Sequence, residues 1–591
     1  MKKIILILSL FCSLNSFAQS FIDLNTSFIE LYKKGDYTAA LSIGIKAVEQ
    51  AKKEFGTSHI NYAIAVHNVA ETYYKLKKFN DALPYYQLAI NSYTAATKEE
   101  NIKDIALCNN NIGTIFLVNK LYDSAAYYLE KSYTFFIEHI DENYISAIGV
   151  MNNLGDLYLP LEQFENCKKA FIKILPAMEK KEGFFSTNYR TTYANLMYCL
   201  QQAKDYENLK IWATKLLPAT TKKYGKISAE YAEINYQLGN AYSKLKQFDS
   251  SVYFYKEAYK AYIIVENTKP TNNIGFTANN IGLAYMELKQ YDSSATYLEV
   301  SFDYFVKHAK DEYDNAAQIM ENLEELYMPI NETNKMVMVY QRWLPVVEAK
   351  HGIFEDNYFT VVNKISKIAS EPNQLQNLQK QLVNLIEKFE VQKKITDNIW
   401  YAEYVYLLAK CYRNLEKNEI SITTYNKAIA LYNALSKGVV NKNISICNND
   451  LGIIYLNMQK YDLSANFFQK AFDYFIKNNN SETDYKNLVV IGDNLVTVFN
   501  SNNRNLGIKK VCEQMLPIIE LEETEVSENY SLFLYNLCSA LRFVHDYIGM
   551  EKRVQELLTI RSKLNGENYL EFAEALDYSG LCQVELNNFV K

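Results

Sequence analysis

Small and aromatic residues recur along most of the chain at spacings of three, four and seven, which gather side chains on one face of a helix. Around Gly239, aromatics follow at Tyr242 and Phe248, then a small residue at Ser251, Tyr255, and a second small residue at Ala258. The same order stands at Ala70, Tyr73, Phe79, Ala82, Tyr86 and Ala89. Each stretch predicts two amphipathic helices joined by a tight turn. Small residues let the two backbones approach, and aromatics fill the space beside them.

The pair itself repeats about every 42 to 44 residues. Clear copies begin at Asn68-Val69-Ala70, Asn111-Ile112-Gly113, Asn153-Leu154-Gly155, Asn195-Leu196-Met197, Asn280-Ile281-Gly282 and Asn322-Leu323. Variant copies carry Gly239, Ala409, Gly452, Val496, Cys538 and Gly580 in the small-residue slot. A lone helix pair cannot bury such a face, so the pattern predicts an all-α array of stacked pairs, about fourteen in number. A longer period overlies the first: Tyr122-Asp123-Ser124, Tyr291-Asp292-Ser293 and Tyr461-Asp462-Leu463 stand about 170 residues apart, which implies duplication of a four-pair block.

Three features interrupt the regularity. Pro176, Pro218, Pro345 and Pro517 share one slot in the second helix of a pair, where proline removes a hydrogen bond, so those helices are expected to bend or end early. Residues 357–390 form a degenerate unit, with Ser366 and Leu378 in place of the usual small residues and Pro372 in the turn, and this unit is the candidate hinge. The final unit has a first helix through Gly580 and a turn aromatic at Phe589, and stops at Lys591. That end implies either self-association through an uncapped face or a continuation of the polypeptide.

These residues resemble the tetratricopeptide repeat, in its longer subclass of about 42 residues seen in kinesin light chains and in exported bacterial repeat proteins. The stretch Lys52-Lys53-Glu54-Phe55-Gly56-Thr57-Ser58 looks like that subclass's linker. The resemblance implies a right-handed superhelical solenoid in which a helix A and a helix B alternate. The expected organisation is a leader at 1–18, an array at 19–356, the degenerate unit at 357–390 and a second array at 391–591.

The leader is read from Lys2 and Lys3, the apolar run from Ile4, and Ser16 and Ala18 at the two small positions before a cleavage site, with cleavage expected after Ala18. Export to a periplasm or the extracellular medium follows. The eight cysteines beyond Cys12 are never closer than 26 residues and fall on repeat positions, so they are expected as buried thiols rather than disulfides. With 62 Lys+Arg against 68 Asp+Glu, the chain lacks the basic surface that nucleic acid requires. No apolar run reaches the length of a membrane span.

Chemistry-bearing motifs are absent from the sequence: no H-E-x-x-H, no C-x-x-C, no phosphate-cradling glycine loop and no nucleophile elbow. The reading is therefore non-catalytic, with no cofactor and no metal. What the resemblance implies instead is recognition of a peptide or protein by the face lined by helix A. Carried onto this chain, that face includes His67, Glu71, Tyr74, Asn110, Asn152, Asp156, Tyr236, Asn240, Asn279 and Asn449. Amide side chains both donate and accept, which suits an extended peptide backbone. The asparagines inside the box, such as Asn111, Asn153 and Asn280, are expected to be structural, bonding neighbouring backbone. The alternative function is the sensor portion of a longer protein whose output is a caspase-like CHAT protease domain or a membrane signalling domain.

Overall fold

The computed structural model describes residues 20–96, 101–265, 271–392, 398–523, 526–565 and 569–586. The expected leader, Phe589 and Lys591 lie outside the described residues. Among the described residues there are 27 helices, from Phe21–Lys33 to Leu570–Glu585, and no strand. They form thirteen A/B pairs followed by one further helix A. The chain divides into two compact units, Met1–Tyr297 and Leu298–Lys591. Within each unit a helix packs chiefly on its neighbours in sequence, the contact order of a repeat array.

The close approach of helix A to helix B is visible at the small-residue slot. A methyl group placed on Gly113 would lie 2.6 Å from Leu129 Cγ, one on Gly452 2.6 Å from Phe468 Cδ1, and one on Gly239 2.7 Å from Tyr255 Cε1. The large partner lies sixteen residues on in each case, as Tyr86 does from Ala70 and Tyr425 from Ala409. Both tyrosines are fully buried. Serine on helix B closes the same contact: Ser251 Oγ donates to the Gly239 carbonyl at 2.9 Å, and Ser464 Oγ to that of Gly452 at 2.8 Å. One turn along, Tyr242 stacks on Phe254 at 5.2 Å and Tyr455 on Phe467 at 5.4 Å, so each pair is sealed by a second aromatic contact.

Turns carry their own signature. Most A-to-B turns place one residue in the left-handed region, and it is seldom glycine: Lys77, Lys120, Lys204, Lys246 and Lys289 all have φ between 56° and 59°. Several B-to-A linkers use Gly56, Gly183, Gly225 or Gly352, with φ of 82° to 86° and ψ of 165° to 173°. That region is accessible essentially to glycine alone.

Two expectations need correction. The helices bearing Pro176, Pro218 and Pro345 each run 19 residues and the one bearing Pro517 runs 18, so none ends early. Apolar residues beside the prolines explain the persistence: Leu175 and Met178, or Leu344 and Val347, are buried in the core. Burying two such side chains offsets the roughly 3 kcal/mol that an interior proline costs. Pro372 likewise does not break its unit; it opens the helix Pro372–Val391, where Glu371 and Gln374 form a capping box. Leu375, Leu378, Leu382, Leu385 and Phe389 are all buried, which makes that segment a full helix B.

The duplication is carried in detail. Tyr158 donates to Glu130 and Tyr327 to Glu299, both across 28 residues. His139 stacks on Phe135 as His308 packs on Tyr304, again one four-pair block apart.

The close contact separates two glycines that look alike in sequence. Gly239→Ala is expected to destabilise by about 1–3 kcal/mol through overpacking against Tyr255. Gly155→Ala, where the nearest Phe171 atom stays at 3.5 Å, is expected to be neutral or stabilising by up to about 1 kcal/mol of helix propensity. Urea unfolding of both variants checks the difference.

Candidate functional site

Helix A of each pair presents a row of polar side chains whose spacing follows the repeat. Asn68 Nδ2 donates to Asn25 Oδ1 at 3.1 Å, Asn111 Nδ2 to Glu71 Oε2 at 2.9 Å, and Asn153 Nδ2 to Asn110 Oδ1 at 2.8 Å. Asn280 Nδ2 reaches the Tyr236 hydroxyl at 3.2 Å, and Asn494 Nδ2 reaches Asn449 Oδ1 at 3.1 Å. The box asparagines are thus structural, but their amides bond side chains of the preceding pair rather than neighbouring backbone. An amide at this slot is within reach of the next helix A because repeats stack with one-to-one register. The result is a polar ladder along the face.

The residues predicted to bind divide accordingly. Glu71 accepts from the Tyr86 hydroxyl at 2.7 Å as well as from Asn111. Asn240 accepts from the Tyr255 hydroxyl at 2.6 Å. His67 Nδ1 lies 3.2 Å from the Tyr93 hydroxyl, and burial lowers its pKa, with Glu71 and Asp104 acting in the opposite direction. Tyr74 packs on Phe79 with ring centroids 5.5 Å apart. Asn279 donates to Asn280 Oδ1 at 3.3 Å. All of these are half-buried, whereas Asn152 and Asp156 are exposed one turn apart on the helix Ile140–Tyr158. Of the predicted set, these two offer the freest side chains.

Tyrosine hydroxyls in the ladder are held protonated. Burial raises the Tyr86 and Tyr255 pKa values far above the ordinary range, and beside Tyr86 the Glu71 carboxylate adds to the effect. They donate hydrogen bonds, Tyr86 to Glu71 and Tyr255 to Asn240.

The third copy of the slot differs and was not singled out in the sequence. Positions His67 and Tyr236 correspond to Tyr406, and Glu71 and Asn240 correspond to Lys410, at offsets of 169 and 170 residues. The box asparagines Asn111 and Asn280 correspond to Asp450. Asp450 is buried, pairs with Arg413, and accepts from the Tyr425 hydroxyl at 2.9 Å. The four-pair period was the signal that pointed to these residues.

Among the described residues no group of three or more His, Cys, Asp or Glu is placed to hold a metal ion, and no helix is long and apolar enough to cross a membrane. The eight cysteines from Cys108 to Cys582 are free and buried. Burial raises the Cys411 thiol to about 11.

Family models of the tetratricopeptide repeat match residues 29–95 and, as single units, 148–175, 232–262 and 402–434. Among curated proteins no match is found. Of solved structures, a Podosopora anserina putative kinesin light chain with nearly identical TPR-like repeats is 10% identical, over 35% of this chain and 93% of that one, with a TM-score of 0.28. BtubC (BKLC) from P. vanneervenii is 12% identical over 44% and 87% of the two chains, with a TM-score of 0.22. A chain of the Naa15/Naa10 complex bound to HypK-THB is 10% identical over 96% and 97%, with a TM-score of 0.32.

The buried pair gives a direct check on the ladder. Arg413→Ala leaves Asp450 buried without its cation and is expected to cost about 3–5 kcal/mol. Adding Asp450→Asn, which restores the amide found at Asn111 and Asn280, is expected to recover much of that loss in chemical denaturation.

Proposed function

We propose that the chain uses its tetratricopeptide repeats as a non-catalytic scaffold, exported from the cytoplasm, that binds a segment of a protein partner along the helix-A face. The observation that carries this reading is the ladder itself: polar side chains at repeat spacing, fixed by hydrogen bonds, with Asn152 and Asp156 left exposed beside it. An extended segment presents backbone donors and acceptors that such a row can satisfy without demanding one sequence. Side chains already held in place lose little entropy when the partner binds. Export is supported by the charged start, apolar run and small residues of the first 18 positions.

The test uses the protein expressed with its leader and recovered from the cell envelope, where its N-terminus is expected at Gln19. Crosslinked partners captured by the wild type are compared with those captured by Asn152→Ala/Asp156→Ala. Loss of at least one specific partner with an unchanged melting temperature is the expected result. Equal capture of every partner, or recovery of the uncleaved chain from the cytoplasm alone, contradicts the reading.

A further inference from the structure

The four-pair period aligns three copies of one arrangement on the helix-A face, and only the third is open. In the first copy the Tyr93 hydroxyl meets His67. In the second, the Tyr262 hydroxyl donates to Glu233 Oε2 at 3.1 Å. In the third, the corresponding Tyr432 is 1% exposed, and its hydroxyl lies beside Glu403, the counterpart of Glu233, without closing the hydrogen bond that Tyr262 makes. It faces a cavity of about 200 Å³ lined by Asn363, Lys367, Glu403, Tyr406, Lys410 and Asn443, with Leu407 and Ile446 as apolar wall. These residues come from three successive A helices and one B helix, all within the second compact unit.

The cavity has two poles. Lys410 stands where Glu71 and Asn240 accept hydrogen bonds in the other copies, and an ammonium accepts none. Its nearest acid, Asp450, is already held by Arg413 and Tyr425, so among the described residues Lys410 has no ion pair of its own. Lys367 adds a second positive charge at the same end. Glu403 lies seven residues before Lys410 on one helix, two turns or about 10 Å away, too far for the two to neutralise each other. It receives the Asn443 amide at 2.8 Å and has the Tyr432 hydroxyl beside it, both neutral donors that leave its charge without a cation. Burial lowers the Lys410 pKa and raises that of Glu403, the signs of two desolvated charges that lack counterions.

We propose that this cavity anchors an extended protein segment carrying one basic and one acidic side chain on the same face, two or four residues apart, with the basic group at Glu403 and the acidic group at Lys410 and Lys367. The proposal rests on the reading of the helix-A face as a partner-binding surface. Same-face side chains of an extended strand are about 7 Å apart at two residues and about 13 Å at four, which brackets the separation of the poles. The Tyr432 hydroxyl and the Asn443 amide supply further polar contacts at the Glu403 end. A purely acidic ligand leaves Glu403 without a counterion, and a purely basic one leaves Lys410 without one.

The test measures fluorescence anisotropy of fluorescein-labelled, C-terminally amidated peptides of Gly with one Arg and one Glu, spaced by two or four, against the full chain. Control peptides keep only the Arg, only the Glu, or the Arg with a free terminal carboxylate in place of Glu. At low salt the two-charge peptide at one of the spacings is expected to bind at least tenfold more tightly than any control. Glu403→Gln and Lys410→Met are each expected to erase that advantage while the circular dichroism melt stays put. The exchange variant Glu403→Lys/Lys410→Glu is expected to favour the peptide of reversed charge order. Equal affinity for the Glu-only or free-carboxylate peptide, or an advantage that survives both single variants, overturns the proposal. If Glu403→Gln and Lys410→Met leave peptide binding unchanged while Asn152→Ala/Asp156→Ala still loses its partners, the subsite fails and the wider reading stands. The converse pattern keeps the subsite and removes Asn152 and Asp156 from the partner contact.

Discussion

Everything in this molecule depends on how closely helix A and helix B approach at one slot. At Gly113, Gly239 and Gly452 on helix A, the large side chain sixteen residues on lies directly over the backbone, as Tyr255 does over Gly239 and Phe468 over Gly452. There is no room for a methyl group at those glycines. The approach fixes the direction in which each pair's remaining aromatic face points, and only a neighbouring pair can cover that face. Repetition is therefore a packing requirement before it is a pattern.

The same register that stacks the pairs lines up their A helices, and from that alignment the polar ladder follows. A box asparagine at 68, 111, 153, 280 or 494 meets a side chain of the preceding A helix because the repeat returns it to the same height. Structure and recognition thus share residues. Asn110 both holds Asn153 and borders the proposed binding face, so its removal disturbs both, whereas Asn152 and Asp156 stand beside the ladder and outside it. Where the ladder changes chemistry, at Asp450, Arg413 and Lys410, a closed contact becomes an open cavity with charge at either end.

The helical repeat, its period and the buried thiols were legible in the sequence because each follows from local spacing and side-chain size. The four-pair duplication was legible too, yet its use was not: Tyr406 and Lys410 differ in type from His67 and Glu71, and only the 170-residue offset relates them. The persistence of helix past Pro176 or Pro345 could not be read locally, since it depends on burial of Leu175, Met178, Leu344 and Val347 against other pairs. The partners of the box asparagines were misjudged for the same reason. A side chain aimed along the stacking direction finds its acceptor some forty residues away, and no local rule names that atom.

The central claim, that contact between the slot residue and its large partner sets the geometry of each pair, is tested most directly by a double-mutant cycle between Gly239→Ala and Tyr255→Ala, followed by urea unfolding. If the claim holds, the added methyl is costly only while the tyrosine ring is present, and the two changes couple by about 1 kcal/mol or more. Costs that simply add, with Gly239→Ala equally damaging in both backgrounds, would contradict it.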